Sequence, residues 1–140
     1  MSQENVEIVR QVFDAIAQRD LQRLVALTDP AVEWRSFFAV GEGGVYRGHT
    51  RMRQYLDDLR EAFEYLRPEL DDLLDAGDII IGVGRICYRG KESGVETESP
   101  AGWMFKFRRG KVVRFRAFRE PDQALEAVGL TEQDAHAESS

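Results

Sequence analysis

Hydrophobic positions in the first half of the chain recur at helical spacing. Residues 6–16 carry an apolar side chain every three or four positions, with charged residues between them, which predicts a first amphipathic helix. Asp20 is placed to cap a second, shorter helix, which ends before Pro30. A third apolar series follows Thr50, its predicted N-cap. The members of that series are Met52, Tyr55, Leu56, Leu59 and Phe63.

From residue 31 onward the apolar spacing changes to the period of two that strands show. Residues 31–35 alternate apolar and charged side chains, and the chain after Pro68 is rich in β-formers interrupted by turn residues. Pro121 begins a short helix that Gly129 ends. Long strands joined by tight turns are antiparallel, and helices segregated from strands indicate the α+β class. The predicted later strands are residues 69–74, 79–88, 96–107 and 111–119.

A glycine-rich segment at residues 41–48 separates the first strand from the third helix. It is predicted to be a loop, and its surroundings are unusually apolar for one. Such a loop must lie over something, so it either covers the mouth of a pocket or caps the core. The apolar residues concerned are Phe37, Phe38, Val40, Val45 and Tyr46.

Composition narrows the classes of partner. The chain has 140 residues, which suits one domain over residues 1–130 followed by a polar tail at 131–140. Its net charge of -6 argues against nucleic acid and against anionic membrane surfaces, which both require a concentrated positive field. No apolar run approaches the roughly 18 residues of a spanning helix. The polar start lacks the features of a signal peptide, so a cytoplasmic location is expected.

Cysteine and histidine are too scarce for the usual metal or disulfide chemistry. Cys87 is the only cysteine, so no intrachain disulfide can form, and its apolar surroundings favour a buried, inert thiol over a reactive one. A metal site needs three or four clustered ligands, which Cys87, His49 and His136 do not supply. No metal and no cofactor are therefore expected.

Five short segments together carry a resemblance to a known family. In their order and spacing, residues 12–21, 29–34, 46–49, 93–95 and 107–113 resemble the SnoaL-like branch of the NTF2-like superfamily. The resemblance implies a cone-shaped, curved antiparallel sheet wrapped by three helices around a cavity. That superfamily includes ketosteroid isomerases, polyketide cyclases, epoxide hydrolases, dehydratases and binding or assembly domains, so the fold alone does not decide the function.

The catalytic residues of the best-known relatives do not carry over to this sequence. At the positions of the ketosteroid isomerase base, protonated acid and tyrosine, the chain has Trp34, Trp103 and Val12. The paired aspartates of the epoxide hydrolases have no counterpart inside the predicted strands. The chemistry of the ketosteroid isomerases is therefore not expected here, and the epoxide hydrolase interpretation lacks its acidic residues.

The resemblance also implies which strand residues face the concave side. Alternation then extends the assignment along each strand, and a slip of one residue would reverse it. Gly82 and Gly84, opposite large aromatics, either leave room for a ligand or admit a helix closely. The residues expected to face inward are Ile80, Gly82, Gly84, Ile86, Tyr88, Trp103, Phe105, Phe107, Val113, Phe115, Ala117 and Arg119.

Aromatic residues are the main ligand-binding candidates. The indoles of Trp34 and Trp103 offer an apolar face and an N–H donor suited to a flat organic ligand, although both can equally be ordinary core residues. Tyr55 and Tyr88 can orient a carbonyl group or simply lie at the core rim. The predicted ligand-binding set is Phe13, Trp34, Tyr55, Tyr88, Trp103, Phe105, Phe115 and Arg119.

Three residues are weak candidates for catalysis. His49 has a side chain that titrates near neutrality, but its place before a helix favours a structural role. Arg119 is expected to point inward and to need an anionic partner, either Glu33, Glu120 or a ligand carboxylate. Glu120 is then the best-placed carboxylate for acid–base chemistry.

The remaining strand arginines are interpreted structurally. Arg114 and Arg116 share a face and are expected to pair with acidic residues across the sheet. The acidic candidates are Glu33, Glu96 and Glu98.

Two functions remain open. The first is a pocket protein that binds or transforms a small hydrophobic, ring-containing metabolite, in the manner of a polyketide cyclase, isomerase or dehydratase. The second is a non-catalytic ligand-binding or dimerisation module. A homodimer is expected through the outer sheet face, where the apolar residues are Ile79, Ile81, Val83 and Phe118.

Overall fold

The computed structural model describes residues 2–36, 44–127 and 129. The helices are α1 (Ser2–Gln18), α2 (Leu21–Leu27), α3 (Gly48–Ala62) and α4 (Pro121–Ala127). The strands are β1 (Thr28–Arg35), β2 (Val45–Arg47), β3 (Phe63–Ala76), β4 (Ile79–Gly90), β5 (Glu96–Arg108) and β6 (Lys111–Phe118). The predicted α+β class is confirmed, with three early helices and one short late helix. Residues 37–43 and the tail at 131–140 lie outside the described residues, so whether that loop covers a pocket stays a prediction.

The local signals at helix starts were only partly correct. Asp20 caps α2 as predicted, because its side chain accepts a hydrogen bond of 3.1 Å from the backbone N–H of Arg23. The predicted cap Thr50 is wrong, since α3 begins at Gly48 and its N-cap, Arg47, makes no side-chain cap. Gly48 has a φ of +80°, a conformation that suits glycine and lets β2 turn directly into α3.

The six strands form one curved, unclosed sheet in the order β2-β1-β6-β5-β4-β3. Most neighbouring strands are antiparallel, as predicted, but β1 runs parallel to β6. The sequence signals did not reveal this ladder, because its two strands are separated by most of the chain. It places the last strand in the middle of the sheet, beside the first.

The concave face of the sheet is filled by aromatic side chains beneath α1–α3. Trp34 stacks on Phe115 with ring centroids 3.9 Å apart, and Phe13 of α1 lies 4.8 Å from Trp103. Phe105 is fully buried between these two groups. Tight packing of this kind is worth more than area burial alone, because each aromatic pair adds about 0.5–1.5 kcal/mol.

Alternation predicted most inward positions correctly. Ile80 and Ile86 of β4 are buried in the concave core, with the alternating aromatics of β5 opposite them. Val113 is a correction: the register shifts between Lys106 and Phe107, so Val112 pairs with Phe107 and takes the buried position. An irregularity of one residue at a hairpin end reverses the alternation beyond it.

Gly82 and Gly84 neither leave room for a ligand nor admit a helix. A Cβ at Gly84 would lie 2.1 Å from the backbone oxygen of Glu69 in β3, and one at Gly82 would lie 2.7 Å from the Leu70 side chain. The register of β3 against β4 shifts between Leu70 and Asp72. The two glycines therefore accommodate a bulge of the neighbouring strand.

The outer face carries a second, smaller core beneath α4. Gly102 permits this docking, because a Cβ there would lie 2.9 Å from the Ala124 Cβ and 3.0 Å from the Pro121 Cα. Across the described part of the chain, no helix is both long and apolar enough to span a bilayer. The buried members of the outer core are Leu74, Ile81, Met104, Phe118, Ala124 and Leu125.

Candidate functional site

A cavity of about 380 Å³ opens at the end of the sheet where β6 stops. The last residue of β6, Phe118, pairs with Gly102, so residues 96–101 of β5 have β4 as their only neighbour in the sheet. Pro100 lies in this free edge, where a missing N–H has no ladder bond to lose. We call this space the mouth cavity. It is lined by Phe63, Ile86, Tyr88, Ser99, Pro100, Ala101, Phe118, Arg119 and Glu120.

The wall of the mouth cavity is mainly apolar. Phe63 and Tyr88 meet edge to face with centroids 5.1 Å apart, and Ile86 and Ala101 are buried beside them. Phe63 is fixed at the α3–β3 junction, where its carbonyl accepts a hydrogen bond of 2.6 Å from the Arg19 guanidinium. We call the pair Phe63 and Tyr88 the aromatic corner of the cavity; their contact with each other and the hydrogen bond to Phe63 keep it in place.

The rim of the mouth cavity is polar because the chain turns there from β6 into α4. Glu120 precedes Pro121, the first residue of α4, and its N–H donates 3.3 Å to the side-chain oxygen of Gln123. The Gln123 N–H donates back to the Glu120 carbonyl at 3.1 Å. This reciprocal cap fixes the backbone of the rim. It places the exposed side chains of Arg119 and Glu120 at the cavity.

The prediction that Arg119 points inward from a strand needs correction. β6 ends at Phe118, one residue earlier, and Arg119 lies exposed in the bend that follows. It forms no ion pair with the predicted partners, since Glu33 pairs instead with Arg47 at 3.1 Å and with Arg114 at 4.0 Å. Arg119 is nevertheless brought together with Tyr88 and Glu120, which were predicted separately.

The other predicted ligand-binding residues do not line the mouth cavity. The structure places them in the packed concave core. The burial of both tryptophans matches the alternative that they are ordinary core residues. The predicted residues that lie in this core are Phe13, Trp34, Tyr55, Trp103, Phe105 and Phe115.

Two polar groups of that core remain notable. The Trp34 indole N–H is buried in the concave core, next to the Tyr55 ring, whose centroid lies 5.4 Å from that of Trp34. Burial raises the pKa of the adjacent Tyr55 hydroxyl, and the indole of Trp34 partly opposes that rise. The pair shows that polar atoms occur deep in the concave core, away from the rim.

His49 lies far from the mouth cavity. Its Nε2 is 3.0 Å from the carbonyl oxygen of Thr28, the first residue of β1. Because β1 and β6 are parallel, Thr28 is at the opposite end of the sheet from Phe118 and Arg119. The contact joins α3 to β1, which is the structural role that its position before a helix favoured.

Cys87 faces the outer side of the sheet, near the carboxylates of Glu69 and Glu98. Burial raises the pKa of its thiol, and the two carboxylates raise it further. A thiol in this environment is a poor nucleophile. Within residues 2–36 and 44–127, no three side chains of the metal-ligating types cluster to hold an ion.

Ion pairs cover much of the outer face around Arg85. Its guanidinium lies 3.1 Å from Glu69, 3.6 Å from Asp71 and 3.1 Å from Glu98. The predicted pairing of Arg114 with Glu33 is confirmed at 4.0 Å. The other candidates have different partners, since Glu98 binds Arg85 and Glu96 binds Arg89.

Some residues of the site were missed by the sequence analysis. Phe63 continued the helical apolar series of α3 and gave no sign that it would begin a strand. Ser99 and Ala101 carry no chemical signal of their own. Pro100 was the available signal, because a proline within a strand indicates an edge without a neighbour.

Comparison with known proteins places this geometry in a family. A model of the SnoaL-like domain matches residues 9–115. The chain belongs to the SnoaL-like domain family. No curated protein has a significant sequence match to this SnoaL-like chain.

Several solved structures have a similar fold. An NTF2-like protein of unknown function from Burkholderia pseudomallei is 20% identical with a TM-score of 0.75, covering 90% of this chain and 98% of its own. An NTF2-like protein from Burkholderia thailandensis is 28% identical, with a TM-score of 0.71 and coverages of 89% and 96%. A Mycobacterium tuberculosis protein in complex with estradiol-17β-hemisuccinate is 12% identical, with a TM-score of 0.71 and coverages of 82% and 92%.

Proposed function

We propose that this SnoaL-like protein binds a small hydrophobic, ring-containing molecule in the mouth cavity. The observation that carries the proposal is the combination of an apolar wall and a polar rim around about 380 Å³ of space. Small-molecule sites are typically concave, mostly apolar and supplied with a few polar groups that fix orientation. A cavity of this size accommodates a compact ring compound.

The aromatic corner supplies the preference for rings. A ring that enters beside Phe63 and Tyr88 can pack against both of them in offset or edge-to-face contact. Arg119 and Glu120 then meet its polar substituents at the rim, where a guanidinium prefers a carbonyl or anionic oxygen. The structure of the Mycobacterium tuberculosis protein with estradiol-17β-hemisuccinate supports this choice, because a protein of the same fold takes a ring compound.

The finer proposal is that the bound ring compound is also transformed. Glu120 would remove a proton next to a carbonyl group, and Arg119 would stabilise the oxygen that becomes negative. Such a step is common to cyclase-, isomerase- and dehydratase-like reactions. His49 takes no part, since it lies at the opposite end of the sheet.

Binding is tested with a neutral fluorescent ring compound, N-phenyl-1-naphthylamine. We expect saturable fluorescence enhancement with the unaltered protein. Ser99→Phe should abolish it, because the new side chain fills the cavity at an edge position that tolerates an aromatic residue. The matched control Ser93→Phe places the same side chain in the exposed turn before β5 and should bind normally. Equal binding by both variants would show that the dye binds elsewhere.

Catalysis is distinguished from the alternative, a non-catalytic binding module, with 5-nitrobenzisoxazole, whose ring opens when a base removes one proton. A positioned Glu120 should accelerate the opening above the rate in buffer, and Glu120→Gln should remove the acceleration. Glu126→Gln is the control, since that carboxylate lies on α4 outside the mouth cavity. An unaltered protein that binds the dye but leaves this substrate at the buffer rate supports the non-catalytic module.

A further inference from the structure

A second concavity of about 470 Å³ lies outside the mouth cavity, between α4 and the ends of β1 and β6. Three arginines surround it, and we call it the arginine cleft. On the α4 side, the cleft is lined by one carboxylate, that of Glu126. Its lining is Arg35, Ser36, Arg116, Ala117, Phe118, Arg119, Gln123, Glu126 and Ala127.

The fold places two of these arginines directly side by side. Arg35 of β1 and Arg116 of β6 are partners in the parallel ladder, so both side chains leave the same face of the sheet. Like charges at directly opposed positions of a sheet destabilise it. The arrangement therefore carries an electrostatic cost in the absence of a negative partner.

The preceding pair on the same face shows how this sheet neutralises arginine elsewhere. Two residues earlier, Glu33 is the ladder partner of Arg114, and it also binds Arg47 at 3.1 Å. A carboxylate at Arg35 would have extended this pattern. Among the residues that the structure describes, the pair Arg35 and Arg116 therefore lacks the carboxylate partner that the pair two residues earlier has.

The arginines of the cleft also differ from those of the other long strands. Arg67, Arg85 and Arg89 each lie within 4.0 Å of a carboxylate. Within the described ranges, none of the three cleft arginines forms such an ion pair. With Glu126 as the one carboxylate of the lining, the cleft has an excess of positive charge in a chain whose net charge is -6.

The guanidinium of Arg116 is held in position by an aromatic ring. The Arg116 guanidinium carbon lies 4.6 Å from the centroid of the Phe118 ring, a cation–π geometry. Phe118 is itself fixed in the outer core beneath α4. A guanidinium placed in this way loses less freedom when it binds a ligand.

We propose that the arginine cleft binds a small oxyanion-bearing molecule, through a phosphate or carboxylate group held between Arg35 and Arg116. Planar guanidiniums bind both groups through paired, charge-assisted hydrogen bonds. Arg119 and Gln123 lie at the α4 side of the same space and reach further polar atoms of the ligand. The site is separate from the mouth cavity, with which it shares only Phe118 and Arg119.

The test follows amide chemical shifts during titration with inorganic phosphate and, separately, with succinate. We expect saturable shifts at the ends of β1 and β6 and along α4. The double variant Arg35→Gln/Arg116→Gln should weaken binding by about tenfold or more, since two charge-assisted contacts are lost. The anion with the lower dissociation constant, phosphate or succinate, shows which anionic group the cleft prefers.

The matched control removes two arginines from another surface. Arg51→Gln/Arg53→Gln changes the net charge equally, on exposed positions of α3. It should leave the titration unchanged. Equal weakening in both double variants, or shifts scattered over all arginines, would show general charge attraction and overturn the proposal. So would the absence of saturable shifts in the unaltered protein.

A thermal measurement gives a second, independent readout. Without added anion at low salt, Arg35→Gln should raise Tm, because it removes the like-charge pair. Phosphate should raise Tm of the unaltered protein more than that of the variant. A variant that is less stable than the unaltered protein under both conditions would make Arg35 a structural residue and overturn the proposal. Binding of N-phenyl-1-naphthylamine by the same variant reports separately on the mouth cavity.

Discussion

Gly84 lies where β3 bulges toward β4, and its missing side chain is a packing requirement. A Cβ at this position would meet two backbone atoms of β3, the Glu69 oxygen at 2.1 Å and the Asp71 nitrogen at 2.9 Å. At Gly82 the nearest atom is the end of the Leu70 side chain, at 2.7 Å, which can move aside. The two glycines on one strand therefore differ in what they tolerate.

Gly84→Ala is expected to lower the free energy of unfolding by about 3 kcal/mol, because backbone atoms of β3 must shift. Gly82→Ala is expected to cost about 1 kcal/mol, the range of a side-chain readjustment. Urea denaturation of both variants measures the difference. Equal losses would mean that the bulge of β3 moves as freely as the Leu70 side chain.

Two buried tyrosines predict how stability changes at high pH. Burial raises the pKa of Tyr46, and its 2.5 Å hydrogen bond to Asp58 raises the pKa further. Burial also raises the pKa of Tyr55. In the unfolded chain both groups lose their protons near pH 10, while the folded state retains them. The stabilisation that these two tyrosines contribute is therefore fully present below about pH 10, and it is lost as the pH rises toward their pKa values in the folded state.

Urea denaturation between pH 8 and pH 11 should show this loss, with spectroscopic tyrosine titration as the direct check. Tyr55→Phe should reduce the slope above pH 10, because one group with a raised pKa is removed. Tyr65→Phe is the comparison: burial and Glu96 also raise the pKa of Tyr65, but this residue lies outside the concave core and is less buried, so the slope should fall less. A slope that Tyr55→Phe leaves unchanged would assign the pH dependence to other groups.

The side-chain pattern predicted inward positions as long as the strands stayed regular. The alternation of Trp103, Phe105 and Phe107 was readable because β5 is continuous and half-buried on each face. Val113 failed because a register shift at the β5–β6 hairpin has no signature in the sequence. The prediction for Arg119 was wrong because β6 ends one residue earlier, at Phe118, and the alternating pattern does not mark that end.

At the scale of elements, the docking of α4 depends on a gap in the outer face of β5. Gly102 provides that gap beneath Ala124 and Pro121. Leu125 completes the contact and is 1% exposed. A helix of this length is not stable alone in water, so its order depends on this contact.

Gly102→Val should displace α4, because a branched side chain cannot fit where a single Cβ would already lie 2.9 Å from Ala124. We expect faster amide hydrogen exchange in α4, with the amides of α1 in the same sample as the reference. The rim of the mouth cavity should loosen with it, since Glu120 is held by Gln123. Unchanged exchange in α4 would show that the helix is held by other contacts.

The sequence predicted long, periodic elements and missed short or context-dependent ones. The helices and the strands after Pro68 follow from apolar spacing that depends only on neighbouring residues. β2 has three residues inside a glycine-rich segment, and β3 begins at Phe63, where the helical spacing still continues. Both are strands because a partner strand lies beside them, which local spacing cannot report.

At the scale of the molecule, the outer face is divided among three kinds of surface. Beneath α4 it is apolar, around Arg85 it is covered by ion pairs, and at the ends of β1 and β6 it is basic. Two of the four residues expected to support a dimer, Ile81 and Phe118, are buried within the monomer, at 1% and 7% exposure. The homodimer stays a prediction, which sedimentation equilibrium can test, and Val83→Lys would weaken it.

The central place of β6 has a consequence for the chain as it is synthesised. β1 leaves the ribosome early, yet its parallel partner follows only after most of the remaining residues. Until then β1 can pair only with the short β2, and β5 has one bare edge. Ladders between distant segments form slowly, because the intervening chain must be ordered first. The nascent chain therefore exposes two strand edges to other chains until its last strand inserts between them.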